Sequence, residues 1–201
     1  EGLTRVLNNI KYKGNGFLFK QTKYYLLDML NYANAYSEDA ELSSIDLPDL
    51  LVKLNSARKK IQTVGGFIAR HQAMVCLLSC LREILLRKNG LWANHTQMLG
   101  LIYSAIHEDD NLLHQIPTGD GKSVTSRMRI AYLALNGFNV DIFSAKESLS
   151  ERDYKESKSF LDAAGLRNGY IDKESQASEY CTGIISGVGA IHFATPGNFS
   201  L

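Results

Sequence analysis

The stretch Thr118-Gly119-Asp120-Gly121-Lys122-Ser123 constrains the fold more than any other part of this sequence. A short apolar run at residues 112–116 precedes it, and residues 122–135 follow with Met128, Ala131 and Leu135 on one helical face. Strand, glycine-bearing loop and helix in that order aim backbone N–H groups and the positive end of a helix dipole at one point, which suits an anion. Gly119 and Gly121 let the backbone approach phosphate oxygens with no Cβ in the way. Lys122 can set a charge against β and γ phosphates, and the Ser123 hydroxyl can complete the coordination of Mg²⁺. The general phosphate-loop pattern begins with glycine, and Ile116 stands there instead. A glycine-bearing turn ahead of a helix is therefore the competing local reading.

The chain before the loop reads as helical. Residues 20–36 form one helix, and a second is announced by Asp46 and Pro48, carries the stripe Leu50, Leu54, Ala57, Ile61 and Val64, and stops at Gly65-Gly66. A third spans residues 67–88, with apolar positions covering most of its circumference, and is expected to be buried on several sides. Tyr24, Tyr25, Tyr32 and Tyr36 are read as packing residues at helical spacing. After Gly90 the pattern changes to alternating short apolar runs and amphipathic segments, the signature of βα units and a parallel sheet. Expected in order are a strand at 112–116, the loop, a helix at 122–135, a strand at 138–144, a helix up to Ala164 opened by the capping box Ser148-Leu149-Ser150-Glu151, and a strand at 190–195. Gly137 and Gly165 are the expected helix stops, and Pro196-Gly197-Asn198 a turn.

Composition adds exclusions. With 22 basic and 21 acidic residues the net charge is +1, so no global field points to nucleic acid or an anionic membrane. No apolar run reaches the length of a membrane span, and the start Glu1-Gly2-Leu3-Thr4-Arg5 resembles neither a signal peptide nor an initiation site. An internal stretch of a cytoplasmic protein is the expectation. Cys76, Cys80, Cys181 and the five histidines (His71, His95, His107, His114, His192) fall at no metal-ligand spacing and are assigned to no metal.

Thr118 to Ser123 resembles motif I of superfamily 2 helicases and, more closely, the Thr-Gly-Glu-Gly-Lys-Thr of the SecA protein-translocation motors, whose first loop position is also not glycine. Three further stretches agree in order and spacing. Gly90-Leu91-Trp92-Ala93-Asn94-His95-Thr96-Gln97 resembles the family's Gly-Met-Arg-His-Phe-Asp-Val-Gln. Leu135-Asn136-Gly137-Phe138-Asn139-Val140 and Ser148-Leu149-Ser150-Glu151-Arg152-Asp153 resemble its Leu-x-Gly-x-x-Val and Tyr-Leu-Ala-x-Arg-Asp. Residues 191–198 resemble the strand and Thr-containing turn before the family's second half.

This resemblance implies an α/β fold, a helical N-terminal region (1–66) followed by a partial parallel-sheet, RecA-like P-loop lobe (67–201). It implies ATP or ADP with Mg²⁺ as cofactor, with Thr118, Gly119, Asp120, Gly121, Lys122 and Ser123 around the phosphates. Lys122 would be catalytic, Ser123 the metal contact, and Gln97 the reader of adenine. For the full-length protein it further implies a cytoplasmic translocase-type ATPase whose partner is a polypeptide substrate or a membrane translocation channel. Trp92, Ala93 and Asn94 stand where the family has Arg, His and an aromatic residue, which leaves Trp92 as a candidate stacking surface. No apolar run followed by Asp-Glu occurs after the loop, so the stretch up to Leu201 is expected to bind nucleotide without turning it over. The competing functions are a piece of an RNA or DNA helicase, favoured by Thr195-Pro196-Gly197, and a degenerate SecA-like module kept for protein interaction.

Overall fold

The structure is a computed structural model that describes residues 16–107, 119, 121–175 and 184–198, with side chains from residue 23 onward. The chain separates into two compact units, one holding Trp92–Thr125 with the chain up to Arg82, the other Glu83–Leu91 with the chain from Ser126. The expected strand at 112–116, together with Thr118 and Asp120, lies outside the described residues.

The first unit is helical: α1 (Gly16–Asp39), α2 (Leu47–Thr63), most of α3 (Phe67–Asn89) and α4 (His95–Ile106). Asp46 starts α2 by accepting the Asp49 N–H at 2.9 Å, with Pro48 in the first turn, where its missing donor costs nothing. The stripe then does what its spacing requires: Leu50, Leu54, Ala57 and Ile61 are buried. Val64, last in the stripe, is 37% exposed because it caps the helix rather than continuing it. On α3, Met74, Val75, Leu77, Leu78, Leu81, Ile84 and Leu85 are all buried. Truncating any of these leucines to Ala would cost on the order of 2–5 kcal/mol.

Of the four tyrosines, Tyr25, Tyr32 and Tyr36 share the face of α1 that meets α3. Tyr24, one position off that face, is 65% exposed, so the packing role read for it from helical spacing does not extend to this residue. The Cys76 thiol lies 3.8 Å from the Tyr32 hydroxyl. Burial pushes the Cys80 thiol up to about 12, so it behaves as a small core residue.

The second unit carries a three-stranded parallel sheet in the order β1-β3-β2: β1 (Val140–Phe143), β2 (Arg167–Tyr170) and β3 (Ala190–Ala194). All five β3 residues are buried, as expected of a central strand, and β1 alternates between half-buried and exposed, as expected of an edge. α5 (Lys122–Leu135) has the bounds its sequence predicts. α6 (Glu147–Ala163) packs on β2 and β3. The fold class read from the sequence therefore holds: helical first, then α/β with a parallel sheet.

Two details differ from expectation. α6 begins at Glu147 with Lys146 as an uncapped N-cap, and Ser150 lies fully buried inside the first turns. The expected cap, Ser148, already lies inside the first turn, one residue past the helix start, so it cannot serve as N-cap and the Ser-x-x-Glu pattern does not open the helix. The strand Arg167–Tyr170 carries no apolar alternation and was not expected. A Schellman turn creates it: Gly165 at φ +74° lets its N–H bond Asp162 O and the Leu166 N–H bond Leu161 O, both at 3.0 Å. That turn releases the chain alongside β3, where Leu166 and Ile171 anchor it in the core.

Candidate functional site

The site is assembled in the first unit from the start of α5 and the start of α4. Gly119 and Gly121 hold φ +93° and +75°, left-handed conformations that glycine adopts at no steric cost. Among the described residues, a Cβ at 119 would meet nothing within 4 Å. The first turn of α5 is sealed by Val124 N and Thr125 N bonding to Gly121 O at 3.0 and 3.4 Å. Earlier N–H groups of any helix have no carbonyl four residues back to bond. Lys122 and Ser123 are exposed at this end. The first turn of α5 contains no acidic residue, so its positive pole and the Lys122 ammonium share one end uncompensated from within the helix.

Gln97 is drawn to the same place. It is the N3 residue of α4 and closes a capping box: Asn94 Oδ1 accepts the Gln97 N–H, and Gln97 Oε1 accepts the Asn94 N–H, both at 2.9 Å. The other end of its amide, Nε2, donates to Gly121 O at 3.4 Å. A Cβ at 121 would overlap that nitrogen, so the close approach requires glycine there as much as the positive φ does. Of the residues singled out by sequence, Gln97, Gly121, Lys122 and Ser123 are thus brought together, with Gly119 two positions earlier on the loop. Thr118 and Asp120 fall outside the described residues.

Two neighbours escaped the sequence reading. Asn94 holds Gln97 in place, and the Asn-x-x-Gln spacing was the signal for it. Arg82, only 2% exposed, lies with its guanidinium carbon 3.6 Å from the Trp92 ring centroid. Its Nε donates to Ala93 O at 2.7 Å and its Nη1 to Asn34 Oδ1 at 3.3 Å. Burial pushes its pKa down to about 10, leaving it charged at neutral pH. A lone arginine inside the apolar run from Met74 to Leu86 was the available clue.

The model of the SecA DEAD-like domain family matches residues 19–184. The chain belongs to the SecA DEAD-like domain family. Two relatives, each named protein translocase subunit SecA 2 and drawn from two strains of Staphylococcus epidermidis, are 24% identical over 174 residues. The aligned part is 86% of this chain and 20% of each relative, so the chain spans about a fifth of their length. The SecA DEAD-like match contains Gln97, Gly119, Gly121, Lys122 and Ser123, the residues of the site described above. Among the described residues no helix is long and apolar enough to cross a membrane.

Proposed function

We propose that this SecA-like chain binds ATP or ADP with Mg²⁺ at the start of α5. The observation that carries the reading is a helix N-terminus bearing Lys122 and no carboxylate in its first turn, behind glycines at positive φ. An anion resolves that electrostatic imbalance, and the residues present fit a polyphosphate. Lys122 would meet the β and γ phosphates, the loop from Thr118 to Gly121 would supply backbone donors, and the Ser123 hydroxyl would be the protein's contact to the metal. Bound Mg²⁺ would neutralise phosphate charge. Gln97, tied to both α4 and Gly121, would be the residue that reads the base. On this reading residues 1–66 are a helical attachment and 67–201 the nucleotide-binding lobe. The whole protein would couple ATP hydrolysis to movement of a polypeptide at a translocation channel, working from the cytoplasm. The relatives' name as translocase subunits supports a polypeptide over a nucleic acid as partner.

The test is a melting series with MgADP and MgATP. Nucleotide at a hundred times its Kd adds about 2.7 kcal/mol of stability, which a thermal shift resolves. Lys122 is exposed, so Lys122→Ala is expected to melt like wild type without ligand and to lose the shift with it. Ser123→Ala is expected to lose the magnesium-dependent part. An equal shift in Lys122→Ala, or none in wild type at millimolar nucleotide, refutes the reading.

A further inference from the structure

Trp92 is the single tryptophan of the chain and is 48% exposed. A large aromatic ring left half in water has apolar area available for a partner. Its setting is not that of a loose surface side chain. One face of the indole lies against the Arg82 guanidinium, which hydrogen bonds to Ala93 and Asn34 hold in place from below. Among the described residues no carboxylate pairs with Arg82, so the ring and the two hydrogen bonds are what this buried cation has. The ring is thereby fixed before any ligand arrives, and a pre-ordered aromatic surface loses little entropy on binding. Two residues further on, Asn94 begins α4, and Gln97 on its first turn reaches Gly121 at the phosphate end of the site. The segment bearing Trp92 is therefore anchored to the mouth of the loop.

We infer that the open face of Trp92 is the platform on which the nucleobase of the bound nucleotide stacks, with Arg82 as its fixed support. This rests on the proposed phosphate site and names the residue that takes the other end of the ligand. Every base has a π-face, so the ligand class is a nucleoside di- or triphosphate whose base is gripped by its plane.

The experiment follows the fluorescence of the 201-residue chain excited at the red edge, where tyrosine does not absorb, so that it reports Trp92 alone. Magnesium pyrophosphate and MgADP are titrated separately, and affinities are measured independently by calorimetry for wild type, Trp92→Leu and Trp92→Phe. ADP is expected to quench the emission saturably, with a midpoint equal to its calorimetric Kd, and pyrophosphate to bind without quenching. Trp92→Leu is expected to weaken ADP about tenfold, the low end of what base stacking contributes, and to leave pyrophosphate unchanged. Trp92→Phe is expected to recover most of the loss. Unchanged pyrophosphate affinity also shows that the leucine variant is folded. If pyrophosphate binds and ADP affinity is indifferent to residue 92, this inference falls and the phosphate site stands. If neither ligand binds wild type, the phosphate site falls and takes this inference with it.

Discussion

Gln97 Nε2 donates to the carbonyl of Gly121 at 3.4 Å, and that same nitrogen occupies the space a Cβ at 121 would need. Gly121→Ala therefore meets two obstacles. A non-glycine residue at φ +75° costs about 1–2 kcal/mol, and the Gln97 amide must swing away from its contacts. Denaturant titration is expected to show Gly121→Ala less stable by roughly that amount or more. The Gly121→Ala/Gln97→Ala double variant is expected to lose less than the two single losses added, because only the clash is shared. Strict additivity would mean the two residues do not touch.

Gln97 holds two structures at once, and its two amide atoms can be separated by substitution. Gln97→Ala removes the capping box and is expected to cost about 0.5–2 kcal/mol, while Gln97→Glu keeps an acceptor for the Asn94 N–H and loses the donor to Gly121. Hydrogen exchange at the Asn94 amide reads the difference directly. It is expected to accelerate in the alanine variant and stay slow in the glutamate variant. Equal protection in both would show that the side chain does not close the box.

The legible parts of this fold are those where one local signal suffices. Asp46-Leu47-Pro48-Asp49 set the start of α2, and the stripe after Lys122 set the bounds of α5. Arg167–Tyr170 was illegible because its strand character comes from β3 and the Gly165 turn, with no apolar alternation of its own. Ser148-Leu149-Ser150-Glu151 misled for the opposite reason: a valid local pattern was overridden when the helix began at Glu147, which puts Ser148 inside the first turn rather than at its cap. At the candidate site the loop glycines and Lys122 could be named from residue type alone. Arg82 beneath Trp92 could not, since the contact joins residues of one helix and the extended segment after it.

Tyr25 and His71 hydrogen-bond at 2.5 Å between α1 and α3, and Phe67 packs on the His71 ring with centroids 4.0 Å apart. Burial lowers the His71 pKa below its ordinary value, with Arg70 and His107 adding to the effect. A histidine depressed in the folded state takes its proton first in the unfolded one, so its stabilising share is complete above the ordinary value and is lost as pH falls below it. Melting between pH 7.5 and about 5 is expected to show a steeper decline in wild type than in His71→Gln. Parallel slopes would remove His71 from the acid response.

Arg127 on α5 is 6% exposed and pairs with Glu156 on α6, whose side chain remains 49% exposed. Asn89 Nδ2 donates to the Glu156 carbonyl at 2.9 Å, and Arg152 Nε lies 3.9 Å from Glu156 Oε1. The two partners are not equivalent. Deleting Glu156 strands a guanidinium that has left water, whereas deleting Arg127 leaves a carboxylate that water and Arg152 still serve. Breaking a fully buried pair by removing one partner costs about 3–5 kcal/mol. The half-exposed carboxylate reduces this, so Glu156→Ala is expected to cost roughly 1–2 kcal/mol. Arg127→Met replaces the buried charge with an apolar side chain of similar length and is expected to be neutral or stabilising. In the double variant no stranded charge remains, so Arg127→Met is expected to rescue Glu156→Ala. Urea unfolding of the four proteins decides the matter: a neutral Glu156→Ala alongside a destabilised Arg127→Met would reverse the assignment and make the guanidinium's packing, rather than its pairing, what holds α5 to α6.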